Sequence, residues 1–440
     1  MAVHTGHERN IAFAAPTLPT HRNLGDPEAM VPRAPAAAGG SIAEAGNGGA
    51  PPAAVPGQDR DRSSLRTVRG RPPRVALDCR GLHWLGIGRY CRELAAALPR
   101  VAPDLEFLWL CTREGAPALA SMPAGRTVVV ATRPLSVGEQ VEVPLALARH
   151  GVDLFHAPNS YTHPLLAGRL VVTVHDLILT RYRANLRNPA GRAYYDFMTH
   201  MAVSRAARIL TVSRFTADDV ASLWAGVSAR LRPVWNGVSD RFRPVHDRAV
   251  LERTREACGL PGRFILYLGS CKPHKNLPRL IEAYGGLSTT ERSDHPLVLV
   301  ARRDPRYPEI ERSIADLGLE SDVLWRPGIA EEHLAALYSL AEFLIMPSLY
   351  EGFGFPLAEA MACGTAVLAA RAASLPEVGG DACDYVDPLS ANAIRAGLRR
   401  MIHQPAHRDE LSRRGLERSR AFSWEETARQ VAAVYREALG

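Results

Sequence analysis

The chain has 440 residues, of which 46% are hydrophobic, and its formal net charge at pH 7 is +7. This length and composition provide for a large core divided between two globular domains. No apolar run reaches the roughly 18 to 20 residues that a bilayer-spanning helix needs. The positive charge suits an anionic partner, whether a nucleotide, a lipid surface or a nucleic acid, and does not choose among them.

The N-terminal segment and the cysteines indicate where the protein acts. Residues 1–72, rich in Ala, Gly, Pro and Ser and without an apolar period, are predicted to be a disordered extension. Their start lacks the apolar core of a secretory signal. Seven scattered cysteines without CxxC spacing predict buried free thiols in a reducing compartment. We therefore expect a cytoplasmic protein.

Strands and helices alternate from Arg74 onward. Residues 73–241 begin with the strand "RVALDCRG", a glycine turn and the helix "RYCRELAAAL", and continue through apolar runs from "EFLWLC" to "RILTVS". After the linker "VWNGV" the pattern restarts in residues 242–420 with "RFILYLGS", "PLVLVA", "DVLWRPG", "EFLIMPS" and "GTAVLAA". This alternation predicts an α/β protein of two doubly wound, Rossmann-like domains that face a cleft. A last helix within 421–440 has an apolar face without an identified docking partner.

The stretch "EGFGFPLAE" follows a strand and begins a helix, which is where open α/β sheets bind ligands. Gly352 and Gly354 let backbone amides approach an anion, and the helix N-terminus adds positive potential. Glu359 is predicted to bond the hydroxyls of a ribose, and Glu351 to face whatever the phosphates carry. Two carboxylates that only complement the helix dipole would leave the glycines unexplained.

This stretch resembles the EX7E motif of retaining GT-B glycosyltransferases of family four, which includes bacterial mannosyl- and glucosyltransferases of cell-surface polysaccharides and glycolipids. The resemblance runs from about Arg74 to the C-terminus. It implies a GT-B fold, transfer of a hexose from a nucleotide sugar (GDP-mannose favoured) to a glycan or lipid-linked acceptor, and retention at the anomeric carbon. It implies no cofactor and no metal, and the one DxD, Asp59–Asp61, lies in the predicted extension.

Three stretches carry further residues that the resemblance assigns to the donor. In "LYLGSCKPHKNLPRLIEAY", Lys275 precedes a helix and is expected at the diphosphate, with Ser270 after the strand. In "RPGIAEEHLAALY", Gly328 is expected beside the nucleobase, and the EX7E loop adds Phe353 and Phe355. The family's arginine upstream of the lysine is replaced by His274. The candidates for the missing charge are Lys272, Arg302 and Arg303.

The N-terminal half contributes two motifs. "WLGIGRY" places Gly86 and Gly88 between the first strand and helix, where amides would contact the diphosphate or the acceptor. "VTVHDLI" places His175 just past a strand end, and the matching family histidine lies near the transferred sugar; a satisfied core or cap residue is the alternative. The predicted catalytic residues are thus Glu351, His175 and Lys275. Lys275 and the amides would stabilise charge on the β-phosphate, while a nucleophilic role for Glu351 stays open.

The sequence leaves a membrane contact and several alternative functions open. The segment that starts at "RYRANLRN" mixes arginines with aromatic residues and predicts a peripheral contact with the inner membrane leaflet, unless its apolar face is an ordinary core stripe. A sugar-nucleotide epimerase, a GT-B phosphorylase and a non-catalytic sugar-nucleotide sensor share the fold. A nucleic-acid binder is disfavoured, because the sequence contains no helix-turn-helix, zinc or RRM signature.

Overall fold

The computed structural model describes residues 70–120, 122, 124–160, 169–182 and 188–440. Within these ranges the chain forms two parallel β-sheets, one in each half. Residues 1–69 of the predicted extension lie outside the described residues. Arg71, which was assigned to the same extension, pairs with Asp153 at 2.8 Å and so joins the first sheet's domain.

The N-terminal sheet has seven strands in the described residues: β1 (Arg74–Asp78), β2 (Glu106–Cys111), β3 (Arg126–Val129), β4 (Leu154–Ala157), β5 (Leu170–Val174), β6 (Arg208–Thr211) and β7 (Leu231–Pro233). The C-terminal sheet has six: β8 (Ile265–Gly269), β9 (Leu297–Ala301), β10 (Val323–Trp325), β11 (Phe343–Met346), β12 (Val367–Ala370) and β13 (Cys383–Val386).

Helices connect these strands. Those of the first half are α1 (Leu85–Val101), α2 (Ala116–Ala120), α3 (Glu139–Arg149), α4 (Ile178–Arg181), α5 (Pro189–Arg205) and α6 (Arg214–Leu223). Those of the second half are α7 (Arg248–Cys258), α8 (Leu277–Gly285), α9 (Thr289–Asp294), α10 (Glu309–Asp316), α11 (Leu334–Leu340), α12 (Phe355–Ala362), α13 (Leu375–Gly379), α14 (Ala391–His403), α15 (Pro405–Ser419) and α16 (Trp424–Leu439).

Both sheets have the doubly wound topology. The strand orders are β3-β2-β1-β4-β5-β6-β7 and β10-β9-β8-β11-β12-β13, and all pairs are parallel. Strands such as β5 are buried along their whole length because helices cover both faces of a parallel sheet. In each sheet the winding reverses between the first and fourth strands in sequence, which is where such folds bind ligands. The predicted fold class is confirmed.

Local sequence signals set several helix ends. Ser213 is the N-cap of α6, and its side chain accepts a hydrogen bond from the amide of Thr216 at 3.0 Å. Asp247 caps α7 in the same way, and that helix ends at Gly259, whose φ of 59° lies in the left-handed region that favours glycine.

The last helix returns to the N-terminal domain. α16 packs along α1, and its residues Ala428, Val431 and Tyr435 join the core on that side of the first sheet. The Tyr435 hydroxyl bonds Nδ1 of His156, in β4, at 2.6 Å. The apolar face predicted for this helix therefore docks against the N-terminal domain, although the helix follows the C-terminal domain in sequence.

Two sequence expectations concern the compartment. All seven cysteines are free thiols, and six of them are buried. Among the described helices, none has the length together with the apolarity that a bilayer crossing requires.

Candidate active site

Glu351 and Lys275 meet at the carboxyl edge of the C-terminal sheet. Glu351 lies in the loop after β11, and Lys275 ends the short 3₁₀ turn Pro273–Lys275 after β8. Nζ of Lys275 lies 2.5 Å from Oε1 of Glu351, and both side chains are largely buried. The contact forms because β8 and β11 are neighbours, so that the loops that leave them project from the same edge.

The loop of residues 352–354 presents free amides beside this ion pair. None of the three backbone N–H groups has an acceptor among the described residues. The carbonyls of the loop are held instead: Ser374 donates to the carbonyl of Glu351 at 2.9 Å, and Ser213 donates to that of Gly352 at 2.7 Å. With α12 starting directly afterwards, these fixed amides form an arrangement suited to an anion.

Glycine is required at positions 352 and 354 of this loop for two different structural reasons. A Cβ on Gly352 would lie 1.7 Å from the carbonyl oxygen of His175, so only glycine permits the close approach of the loop to the N-terminal domain. Gly354 has a φ of 94°, which side-chain-bearing residues rarely adopt. The sequence pattern indicates anion binding alone as the reason for both glycines. It does not predict that contact with the N-terminal domain requires glycine at position 352.

The aromatic side chains of the loop belong to the core. Phe353 is buried against Phe355 and Phe422, with ring centroids 5.4 and 5.6 Å away. Phe355 is half-buried and stacks on Trp424 at 6.4 Å. Of the two predicted donor contacts, Phe353 therefore offers a ligand its backbone amide, not its ring.

Glu359 lies deeper than its position in the motif indicates. It occupies the second turn of α12, behind the helix N-terminus, and is 2% exposed. Its Oε2 accepts a hydrogen bond from the Tyr338 hydroxyl at 2.9 Å, and its Oε1 accepts one from Arg89 of α1. That ion pair joins the two domains. Sequence reasoning assigns no role to Arg89, although an arginine that follows a glycine turn at a helix start is a cation near a strand end.

His175 follows β5, and its backbone carbonyl approaches Gly352 closely, while its ring lies against Tyr90 with the ring centroids 4.8 Å apart. Its ring hydrogen-bonds the backbone of Pro158, which has no N–H, so an imidazole N–H donates to that carbonyl. Nε2 is buried and has no partner among the described residues. Burial lowers the pKa of His175 to about 4, so the ring is neutral at pH 7. Nε2 then carries a lone pair that can accept a hydrogen bond from a hydroxyl.

Asp176 is the carboxylate directly after His175, and sequence reasoning assigns it no role. Burial raises its pKa, the Ile178 amide lowers it, and Glu351 raises it further, while Lys272 and Lys275 act in the opposite direction. These influences mean that carboxylates and ammonium groups from both domains meet at the cleft. The site is an electrostatic cluster and not a single ion pair.

The two glycines of "WLGIGRY" also differ. Gly86 is exposed in the first turn of α1, its amide has no acceptor among the described residues, and an added Cβ would meet nothing within 4 Å. The amide of Gly88 instead donates to the carbonyl of Trp84 at 2.6 Å, and a Cβ there would lie 2.1 Å from the carbonyl oxygen of Leu82. Gly86 is thus available to a ligand, whereas Gly88 shapes the turn.

Ser270 and Gly328 follow β8 and β10, two strands of the C-terminal sheet that β9 separates. Ser270 is half-buried directly after β8, and its carbonyl accepts a hydrogen bond from Tyr267 at 2.8 Å. Gly328 is exposed after β10, with a φ of 78° and open space around it. Both lie in loops that leave the same sheet edge as Lys275, and neither contacts the Lys275–Glu351 pair.

His274 does not supply the charge of the arginine that it replaces. Its side chain is 2% exposed, and burial, followed by Lys275 and Lys272, holds its pKa well below the usual range. Arg303 is engaged on the surface by Glu311 and stacks over Trp325. Of the three predicted substitutes, Lys272 and Arg302 are exposed and remain candidates.

Two Rossmann-like domains face one cleft, to which they bring a lysine, loop amides without an acceptor among the described residues, and two carboxylates; this is the GT-B architecture. Two family models cover the chain in succession: residues 84–242 match Glycosyltransferase Family 4, and residues 252–418 match Glycosyl transferases group 1. The chain therefore belongs to this family of glycosyltransferases, as the EX7E resemblance implied.

Relatives support the assignment across most of the chain. The protein is 29% identical over 387 residues to O-antigen chain mannosyltransferase B of Escherichia coli, covering 80% of this chain and 96% of that protein. It is 34% identical over 282 residues to the MMP alpha-(1->4)-mannosyltransferase of Mycolicibacterium hassiacum, covering 61% of this chain and 66% of the relative.

Solved structures agree in fold. Sucrose-phosphate synthase from Thermosynechococcus elongatus superposes with a TM-score of 0.66 at 22% identity, covering 83% of this chain and 98% of that structure. HepE from Anabaena, solved in complex with UDP-glucose, has a TM-score of 0.65 at 17% identity, covering 82% and 98%. At such identities the likeness establishes the GT-B fold alone.

Proposed function

We propose that this glycosyltransferase moves a hexose, with mannose favoured, from a nucleoside-diphosphate sugar to a glycan or lipid-linked acceptor, with retention at the anomeric carbon and without a metal. The observation that carries the proposal is the Lys275–Glu351 pair beside the unbonded amides of residues 352–354. The relatives named as mannosyltransferases favour mannose, and GDP-mannose is the expected donor.

The leaving nucleoside diphosphate sets the main chemical demand. As the glycosidic bond breaks, negative charge grows on the β-phosphate and needs positive partners that are already in place. Lys275 supplies an ammonium, and the amides of residues 352–354 with the N-terminus of α12 supply oriented dipoles. These groups come from the protein itself, so the proposed reaction does not call on a metal ion.

The remaining site residues orient the donor. Glu351 and the neutral His175 accept hydrogen bonds from sugar hydroxyls, His175 through its unpartnered Nε2. Glu359 accepts them from the ribose. We infer that Glu351 positions the sugar and forms no covalent bond to it, while Lys275 holds its Oε1. A glycosyl adduct trapped on Glu351 would contradict this role.

Turnover with defined donors tests the proposal. The purified protein is incubated with GDP-mannose, UDP-glucose or UDP-galactose and a bacterial glycolipid fraction, with and without EDTA, and the product is analysed by NMR. We expect one donor to be consumed, an unchanged anomeric configuration in the product, and equal rates with EDTA. An inverted product or loss of activity with EDTA would overturn the mechanism.

The same experiment separates the other functions that the fold permits. An epimerase would convert the sugar nucleotide without an acceptor, and a sensor would bind it without turnover. A variant with Lys275→Ala serves as the control, since transfer that persists at the wild-type rate would not come from this site.

We further propose a peripheral contact between the N-terminal domain and an anionic bilayer. Tyr195 and Met198 of α5 are buried, so most of the apolar face predicted there covers the sheet. Among the described residues of this domain, the large apolar side chains that are more than half exposed lie elsewhere. They are Val129 on β3, Val137 just before α3, Val141 and Leu145 on α3, and Phe197 on α5.

Vesicle sedimentation tests this contact. Arginines predominate over carboxylates in residues 73–241, so binding is expected to anionic vesicles and to weaken with salt. A double variant, Val141→Ser with Leu145→Ser, should sediment less. Equal sedimentation of variant and wild type would show that the stripe on α3 is not the contact.

A further inference from the structure

Arg89 occupies a carboxylate oxygen that the proposed reaction needs. Its guanidinium extends from the first turns of α1 across the cleft to Oε1 of Glu359, and Oε2 of the same carboxylate accepts the Tyr338 hydroxyl at 2.9 Å. Glu359 thus has a protein partner on each oxygen. A ribose can bond it only if one of the two partners withdraws.

The two partners differ in their freedom to move. Tyr338 is fully buried inside α11, next to the core of the C-terminal domain. The side chain of Arg89 is 18% exposed, lies over the rings of Phe242 and Phe355 at 5.6 and 5.4 Å, and approaches a second acid, Glu331, at 3.9 Å. A long side chain on a partly open aromatic surface rearranges more easily than a buried phenol, so Arg89 is the partner that a ribose displaces.

Displacement leaves a cation next to an anionic ligand. Ribose hydroxyls bring no charge to Glu359, whereas the diphosphate attached to that ribose brings several negative charges. Arg89 sits in the same helix turn as Gly86, whose amide is free, so the helix N-terminus and the guanidinium present positive charge from one place. On the opposite side of the cleft, His274 is buried and neutral where an arginine would stand.

We propose that Arg89 is a donor-binding residue that exchanges Glu359 for the diphosphate when the ribose engages Glu359, and that it supplies the charge missing at His274. Lys275 and Arg89 then hold the diphosphate from the two domains, and the guanidinium can bond two phosphate oxygens together. This inference rests on the proposed function, and it assigns donor recognition to a residue of the N-terminal domain.

Paired ligands with and without phosphate test the exchange. Calorimetric titrations compare GDP with guanosine and UDP with uridine, using the wild type, Arg89→Gln, Arg89→Lys and a control, Arg436→Gln, whose residue pairs with Asp104 away from the cleft. We expect Arg89→Gln to weaken the diphosphate by about tenfold to a hundredfold and to leave the nucleoside equal or tighter, because the competitor for Glu359 is gone.

The outcomes of these titrations support or overturn the exchange of Arg89 between Glu359 and the diphosphate. Arg89→Lys should retain part of the diphosphate affinity, Arg436→Gln all of it, and the affinity of Arg89→Gln for the diphosphate should depend less on salt. An equal loss for nucleoside and diphosphate, or an unchanged diphosphate affinity, would overturn the exchange and leave Arg89 a structural residue. A folded wild-type protein that binds neither diphosphate would overturn the proposed function, and this inference with it.

Discussion

At the scale of single residues, the proposed function assigns the largest share of the chemistry to Lys275. Its ammonium is fixed by Glu351 at 2.5 Å and faces the position expected for the β-phosphate. Replacing Lys275 with alanine removes a preorganised charge, and we predict a loss of roughly a hundredfold to a thousandfold in kcat. Steady-state kinetics measure this loss, with Arg312→Ala, an exposed change on α10, as the control.

The melting temperature of the Lys275→Ala variant shows whether its fold is preserved, which is needed to attribute a loss in kcat to the missing charge. A near-wild-type melting temperature together with near-wild-type kcat would show that Lys275 does not stabilise the leaving group. Lys275→Arg should recover part of the rate because it restores a positive charge with altered geometry.

The sequence predicted the Lys275–Glu351 neighbourhood but not the Arg89–Glu359 contact, and the reason is geometric. Lys275 and Glu351 follow adjacent strands, so the rule that ligand-binding loops share one sheet edge brings them together. Arg89 and Glu359 belong to different domains, and their contact depends on how the domains are placed and how far a long side chain reaches. Strand patterns contain neither quantity.

At the scale of loops and helices, Gly352 is the point where the EX7E loop touches the N-terminal domain. An alanine there would place its Cβ 1.7 Å from the His175 carbonyl oxygen, which forces loop and domain apart. We predict that Gly352→Ala lowers the melting temperature by several degrees and removes most of the activity.

Gly86→Ala is the matched comparison, since it adds the same methyl group in open space at a glycine whose φ is not positive. It should leave the melting temperature unchanged or slightly raised, because alanine favours the helix more than glycine. Equal melting temperatures for both variants would contradict the close approach at Gly352.

The docking of α16 depends on a buried histidine. His156 is 0% exposed, and its two ring nitrogens bond the Tyr435 hydroxyl at 2.6 Å and Thr173 at 2.7 Å. Burial lowers its pKa to about 3, below the roughly 6.5 of an unfolded histidine. The folded state therefore resists the proton, and the contribution of His156 to stability is lost as pH falls from about 6.5 toward 3.

Urea unfolding at pH 7.5 and pH 5 measures this effect. The linkage amounts to about 2 kcal/mol at pH 5 for a fully buried histidine. We predict that His156→Gln is less stable than the wild type at pH 7.5 and loses less stability than the wild type on going to pH 5. Parallel pH dependences for the two proteins would contradict a neutral His156.

The sequence predicted the strands and helices themselves better than it predicted which elements they pack against. Near-continuous apolar runs such as "LVVTV" identify buried parallel strands without further information. The amphipathic face of α16 predicted a docked helix, yet an apolar stripe fits any apolar surface. Its partner, α1, is set by the bridge between Val238 and Ser423 that returns the chain to the first domain.

At the scale of the whole molecule, Glu377 of α13 fastens the domains to each other. Its carboxylate accepts the amides of Arg214 and Phe215 at 2.9 and 3.0 Å, at the N-terminus of α6, and Nε1 of Trp235 at 2.7 Å. We predict that Glu377→Ala lowers the free energy of unfolding by roughly 1.5 to 3 kcal/mol, measured by chemical denaturation.

Glu410→Gln is the control for that change, because the partners of Glu410 among the described residues are Arg413 and Arg414 of its own helix, α15, and these pairs are exposed. A loss at Glu377 no larger than the loss at Glu410 would mean that the cap does not hold the domains. Local sequence patterns did not predict this contact, because α6 and α13 are far apart in the sequence.

We propose that the cleft binds a nucleotide sugar through Glu359 and its neighbours. Thermal unfolding with a panel of sugar nucleotides, for the wild type and for Glu359→Gln, tests this proposal. A donor at a hundred times its Kd stabilises the folded protein by about 2.7 kcal/mol, which corresponds to a shift of a few degrees. We predict such a shift with one donor, GDP-mannose first among them, and its loss in the variant. No shift with any donor in the folded wild type would contradict the claim.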